Sequence, residues 1–370
     1  MKKLFYILLF VTSFCQGQMI IDAYKYQTVD THSFISEWHT TTASELVTIR
    51  LSTSYTYDIT VDWGDESGTT NFNATGDATS LNHTYATAGT YIITITPNST
   101  NGWKGIAFSN TGDRLKIYDI LQWGDSAIQV LNFYGCNNLT GGTATDVPNL
   151  TALTSMANSF RNCYVLNITN FGSWEPYNVS SFSQCFRDIP VDSNPDIRNW
   201  VTSNSTAVDI MLIYLTGWSR DLSNWDISNI TTMNLFSIAN GWTTADYSAT
   251  LVGWAAQAPS IQTGVPLGAT LTEFSEGLVD SGTTDGTTAN KLVDSSQNFT
   301  TTVTVGDIVY NSTDDTYAEV TAIDSDTQLT IENDIMVSGD NYRVQGSDAA
   351  KARYVLSNDY SWSIDDNGGI

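Results

Sequence analysis

Basic residues are scarce in this chain: 15 Lys and Arg stand against 39 Asp and Glu in 370 residues, a formal net charge of -24. Such a field repels nucleic acid phosphates and acidic lipid faces alike, so nucleic-acid binding is not expected. Histidine is rarer still, at three, and cysteine numbers four. Zinc sites and nucleophilic triads therefore have few participants. No P-loop, HExxH, GxSxG elbow or dinucleotide fingerprint occurs. Carboxylates abound, so residue type alone does not exclude a two-carboxylate glycosidase. An acidic surface is ordinarily a solvating one, however, and the chain reads as non-catalytic, with no cofactor and no metal-ligand set. After the first residues, no apolar run is long enough to cross a bilayer.

What is plentiful is Thr, Ser, Asn, Asp and Gly, together with 11 Trp and 18 Tyr. That composition suits an extracellular β-rich protein better than a helical cytoplasmic enzyme. The length suffices for two or three compact units, each with its own core. The opening MKKLFYILLFVTSFCQGQ carries two lysines, an apolar run from Leu4 to Phe14, then small and polar residues, which is the layout of a secretory signal. Residues 1–17 are expected to be removed after Gly17, leaving no transmembrane segment. An uncleaved anchor needs a longer apolar run, and lipid attachment at Cys15 wants a small residue where Phe14 stands. Removal leaves Cys136, Cys163 and Cys185, an odd number that cannot all pair within one chain.

The stretch LSNWDISNITTMNLF, Leu222 to Phe236, fits neither a strand's alternation nor a clean amphipathic helix. Weaker copies precede it: IRNWVTSNSTAVDIML from Ile197, GSWEPYNVSSFSQCF from Gly172 and VPNLTALTSMANSF from Val147. Trp174, Trp200 and Trp225 are 26 and 25 apart, and the closing residues Phe160, Phe186, Leu212 and Phe236 follow at 26, 26 and 24. Phe133 lies 27 residues before Phe160 and extends the series. A period in the twenties marks a solenoid, in which each turn buries its apolar face only against its neighbours. Phe133 to Phe236 would form the spine, Ile197 and Leu222 would point inward, and Asn199 and Asn224 would bond the backbone of the adjacent turn. Cys136 and Cys163 share a phase of successive turns, and buried thiols filling small gaps are preferred to a disulfide. Trp218 and Trp242 suggest rings for stacking on sugars, but tryptophan at repeat spacing ordinarily belongs to a core. Neither is named as a site, and the ligand-binding residues stay unknown.

With that frame, LSNWDISNITTM, QWGDSAIQVLNFYGCNNLT, ATDVPNLTALTSM, ADYSATLVGWAAQAP and AAKARYVLSNDYSWSIDDNGG resemble the BspA-like leucine-rich-repeat surface proteins of bacteria. The resemblance covers about half the chain and implies a surface adhesion or interaction protein, with no fixed set of binding residues to carry over. The turns here are few, and Ser205, Val208 and the early Phe236 depart from the family pattern.

Ahead of the repeats, ELVTIRLS, YTYDITVDWGD and GTYIITIT alternate apolar and polar residues between turn signals, the pattern of half-buried antiparallel strands in a small β-sandwich. DITVDWGDESG followed by LNHTYATAGTYIITIT resembles a PKD-type immunoglobulin-like domain. Glu66 stands where the family has a second glycine, and Gly68 is expected to supply the flexible backbone position instead. His83, Asp62 and Asp65 lie close in that motif, but a hydrogen-bonded histidine is preferred to a metal or acid-base site. His32 and His39 bring no ligand spacing. DESG, DSDT and DDNGG are acidic loops that lack the distal glutamate of a full calcium site.

Between LVGWAAQAP and the alanine-rich segment the family has a short connection; here about seventy residues of short alternating strands intervene. Their VGDIVYN and AEVTAIDSDTQLTI runs are similar to small β modules of phage structural proteins. GSDAAKARYVLS then predicts a helix that caps the repeats. The expected architecture is mainly β with short helices: a signal peptide at 1–17, a PKD-like sandwich at 34–100, a repeat solenoid at 101–275, an inserted barrel or sandwich at 276–346, and a cap at 347–370. The expected role is a secreted or cell-surface adhesion protein on the outer membrane's extracellular face, recognising a protein or glycan on a cell or matrix. The alternative is a structural or receptor-binding protein of a phage virion.

Overall fold

The computed structural model describes residues 30–370, save 78, 190–194, 216 and 239–240. The leader at 1–17, with Cys15, lies outside the described residues. The stretch from residue 31 to the end forms one compact unit, mainly β, with fifteen strands and three short α-helices among the described residues.

Seven strands come first: β1 Phe34–Thr40, β2 Glu45–Thr48, β3 Thr56–Asp62, β4 Thr69–Thr75, β5 Asn82–Tyr85, β6 Gly89–Pro97 and β7 Ile117–Gln122. In β1 every second residue is buried, which places Phe34 and Trp38 on the inner face, as the two-residue side-chain period requires. All pairings are antiparallel, in the order β4-β3-β6-β1-β7, with β2 and β5 forming a separate pair. Val47 of β2 and Tyr85 of β5 join Trp38, Ile59 and Val61 in one apolar cluster. The sheet does not end at residue 100, where the composition changes: β7 is its edge strand and comes from the following region.

From residue 107 the chain coils in turns whose parallel bridges join Ala107 to Asn132, Ser155 to Ser181, Ser181 to Ala207 and Ala207 to Thr232. Backbone bonds from Phe133 N to Ser159 O, Phe160 N to Cys185 O and Phe186 N to Met211 O, of 2.8, 3.0 and 3.2 Å, fix the register. Phe133, Phe160, Phe186 and Leu212 therefore share one phase and are fully buried. Leu212 N bonds Phe236 O, so Ser237 and not Phe236 stands opposite Leu212. The one-residue slip accounts for the short last interval, and Phe236 instead packs against Trp225, Trp242 and Trp254. Phe108, 6.3 Å from Phe133, adds an earlier ring to the series.

An asparagine ladder is present on other residues than expected. Asn178, Asn204 and Asn229 donate to Thr151 O, Tyr177 O and Ser203 O of the preceding turn at 2.8, 2.7 and 2.7 Å. Asn199 and Asn224 are exposed. The ladder needs an amide aimed along the stack, and the second SN or YN pair of each turn supplies it.

The last turn is followed by α1, Thr244–Ala255, whose first turn is capped by Thr243 Oγ1 accepting from Asp246 N. β8, Pro266–Gly268, continues the parallel rungs through Leu267 against Met233.

The intervening strands are β9 Leu278–Thr283, β10 Lys291–Val293, β11 Ile308–Asn311, β12 Thr316–Ser325, β13 Gln328–Ile331 and β14 Asn341–Gln345, with the short α2, Phe299–Thr302. They form one antiparallel sheet, β10-β13-β12-β11-β14-β9, over a separate core of which Leu292, Phe299, Val320 and Tyr342 are part. Chain entry and exit are side by side, since Gly346 N donates to Gly277 O at 2.9 Å and Ser347 N to Glu276 O at 3.1 Å.

The chain then forms α3, Asp348–Tyr354, a π-helical turn at Val355–Asp359, and β15, Ser363–Asp365, parallel to β8. Ala349, Ala350, Ala352 and Leu356 add to the main apolar cluster. Glu276, buried, accepts from Arg343 and Gln345, while Arg353 pairs with buried Asp366 and lies 5.2 Å over Tyr317. These contacts tie the β9–β14 sheet to the cap.

Candidate functional surface

One face of the coiled turns carries side chains in columns, because equivalent positions of successive turns sit one rung apart, about 4.8 Å. Its outermost column is Thr154, Ser180, Thr206 and Thr231, all exposed. Each hydroxyl from Ser180 onward donates to the carbonyl of the residue below it, at 3.0, 3.1 and 3.1 Å. The column is thereby ordered before any ligand arrives. Beside it run Ser155, Ser181, Ala207 and Thr232, then Ala157, Ser183, Asp209 and Asn234. Asp209 Oδ1 accepts from Thr232 Oγ1 and, at 2.7 Å, from Asn234 N.

The next position is held in the left-handed backbone region in four successive turns: Asn158, Gln184, Ile210 and Leu235 have φ of 62, 60, 59 and 49°. Asn162, Asp188 and Tyr214 repeat the conformation four residues on, at 58, 58 and 60°. Asparagine tolerates this region and a β-branched residue does not, so the turn geometry is imposed by stacking and overrides local preference at Ile210.

Between the two left-handed columns lie Tyr134, Arg161 and Arg187. The Arg161 guanidinium sits 4.7 Å over the Tyr134 ring and donates to Gln184 Oε1 at 2.6 Å. Arg187 reaches the same oxygen at 3.3 Å and pairs with Asp188 at 3.1 Å. Their 26-residue separation equals the repeat interval, so the period alone places them together, although the sequence reading did not single them out.

Trp218 and Trp242 are 0% and 4% exposed, so neither is free to stack on a sugar. Their indole N–H groups donate to Pro195 O and Arg220 O at 3.0 and 2.9 Å. His83 Nε2 donates to Asp65 Oδ2 at 2.7 Å and the ring stacks on Trp63 at 5.1 Å, while Asp62 accepts from Gly64 N at 2.9 Å. Gly68 has φ of 107°, as the missing glycine suggested, yet Glu66 itself takes the left-handed conformation at 62°. His39 bonds Glu37 at 2.7 Å and stacks on Tyr118, and His32 pairs with Asp125. Of the acidic loops, Asp324 is held by Lys291 at 2.7 Å, Asp366 by Arg353 at 2.9 Å, and Asp65 by His83 and Ser67. No group of three His, Cys, Asp or Glu is placed to hold a metal among the described residues. Cys136, Cys163 and Cys185 are buried free thiols, and burial pushes all three pKa values up.

A cavity of about 10 Å³ among Phe34, Trp103, Trp123 and Phe133 has room for one water at most. The exposed ladder, not an enclosed pocket, is the surface that the repeat builds.

Residues 131–248, which make up most of that ladder, match the family model described as Mycoplasma protein of unknown function, DUF285. The match spans roughly a third of the chain. No curated protein and no solved structure matches the chain. No helix among the described residues is long and apolar enough to cross a membrane.

Proposed function

We propose that this chain is a secreted or cell-surface binding protein, non-catalytic, that recognises a protein or glycan on a cell or matrix through its repeated face. In this reading the front strands are a PKD-type, immunoglobulin-like sandwich, the turns are a short BspA-like leucine-rich-repeat solenoid, and the β9–β14 sheet is an inserted module. The observation that carries the reading is the exposed ladder itself. Four successive turns present the same small polar columns at a fixed spacing, with side chains held by internal hydrogen bonds, and a preordered polar face loses little entropy on binding. The signal-like leader supplies the export.

Fractionating the producing cell and sequencing the mature N-terminus tests the location, with a start after Gly17 expected. An array of glycans and matrix proteins tests the binding, and a blank array counts against it. Recovery of the chain in virus particles with Met1 intact would favour the virion reading.

A further inference from the structure

We propose that a row of guanidinium groups, Arg50, Arg114, Arg161 and Arg187, is a recognition site for a carboxylated polysaccharide, a polymer of uronic acid. The proposal rests on the binding role above and names the ligand class for that same face. In a chain of net charge -24 with eight arginines, half of them follow one another along successive turns.

Arg50 O accepts from Ala107 N at 3.0 Å, one rung ahead of Phe108, and the Arg50 stem lies along Gly112, where a Cβ would come within 2.6 Å of its Cδ. Arg114 lies against Gly135 in the next turn, where a Cβ would come within 2.8 Å of its Nε. Arg161 covers Tyr134, the residue before Gly135, and Arg187 follows one turn on. At both glycines φ is positive, 63 and 80°, and the missing side chain leaves the space through which the arginine stem runs.

Three features say that the row awaits a counter-charge. Arg161 and Arg187 hold like charges at the same phase of adjacent turns, which is unfavourable, and the one acceptor they share is the neutral Gln184 Oε1. Arg50, Arg114 and Arg161 reach no carboxylate among the described residues, although Arg198, Arg343 and Arg353 each do. The Nε atoms of Arg50, Arg114 and Arg161 are buried without an acceptor, a condition that Arg220 shares outside the row, and it calls for a physical cause.

A planar guanidinium fork matches a carboxylate in bidentate geometry. The amide side chains of Asn158 and Gln184 border the row. Peptide partners anchor through apolar side chains seated in pockets, and the ladder offers columns of polar groups instead, which suit the hydroxyls of a sugar. The net negative charge of the whole chain acts weakly beyond the Debye length of about 8 Å, so the arginines govern close contact.

Calorimetric titration of the intact mature chain with oligogalacturonate, poly-glutamate and dextran tests this. Oligogalacturonate should bind and dextran should not. Arg114→Gln with Arg161→Gln should weaken binding about tenfold per guanidinium, with the thermal midpoint little changed. Should that double variant unfold, Arg161→Lys decides, since it keeps charge and stem but loses the fork; affinity equal to the parent's would overturn the proposal. Tighter binding of poly-glutamate than of oligogalacturonate would overturn the sugar assignment in favour of an acidic protein. No binding of either polyanion overturns the proposal outright, and the broader binding role then stands or falls by the glycan and matrix-protein array.

Discussion

Phe160 and Phe186, 26 residues apart in sequence, lie face to face with centroids 6.1 Å apart and planes 4° from parallel. Phe133 continues the stack below Phe160 at 5.9 Å and 8°. Each ring is wholly buried and has the rings of neighbouring turns as its surroundings, so no turn can bury its own. Phe160→Ala removes the middle ring and leaves a gap walled by two rigid neighbours. A loss of about 3 to 5 kcal/mol is expected, read as a lower urea midpoint with unchanged slope. A midpoint equal to the parent's would mean that the stack contributes nothing to stability.

Ile210 is a β-branched residue at φ of 59°, a conformation that costs on the order of 1 to 3 kcal/mol. The equivalent position one turn back is Gln184, and two turns back Asn158, at nearly the same angle. Ile210→Asn should therefore raise stability by about 1 kcal/mol despite the apolar area it gives up, because the Ile210 side chain is only half-buried. A fall in the thermal midpoint would mean that the isoleucine's packing outweighs its backbone strain.

What could be read from the sequence follows from which forces act locally. Burial follows the period, so the spine at Phe133, Phe160, Phe186 and Leu212, the inward Ile197 and Leu222, and the alternation in β3 and β6 were all legible. The choice of Asn204 over Asn199 was not, since two asparagines five residues apart satisfy the same period and only the direction of the amide separates them. The slip at Phe236 was visible as a short interval, but its meaning, Ser237 opposite Leu212, depends on backbone register. Strand β7 was hidden because it pairs with β1 across about eighty residues of chain. The arginine row was half legible: Arg161 and Arg187 keep the repeat interval, whereas Arg50 and Arg114 join them only in space.

The thiols give a prediction about access. Cys136, Cys163 and Cys185 are fully buried, and with the thiolate disfavoured by desolvation each is a poor nucleophile. Cys163 also donates its S–H to Phe133 O at 3.1 Å. Alkylation under native conditions should leave all three unmodified for as long as the stack stays closed, with complete labelling in denaturant. Rapid native labelling of Cys163, located by peptide mass spectrometry, would show that the turns open locally.

Glu45 couples the front strands to acid. Its carboxylate accepts from Thr41 N at 2.6 Å, the largest influence on its pKa, and from Thr42 N at 3.0 Å, while Lys116 Nζ lies 3.0 Å from the other oxygen. Together these outweigh the opposing effect of burial and hold the pKa at about 2, against an ordinary 4.5. The unfolded chain takes up the proton first as pH falls, so the folded state gains stability from Glu45 above pH 4.5 and loses it progressively as pH drops toward 2. Other carboxylates with lowered pKa, Asp65 and Asp77 among them, add to the same acid slope. The contribution of Glu45 is therefore read as a difference between the parent and Glu45→Gln. The urea midpoint of the parent should exceed that of the variant by a constant margin from neutral pH down to about 4.5, and the margin should narrow steadily below it. A margin that stays the same down to pH 2 would mean that the charge of the carboxylate is not what Lys116 and the backbone N–H groups recognise.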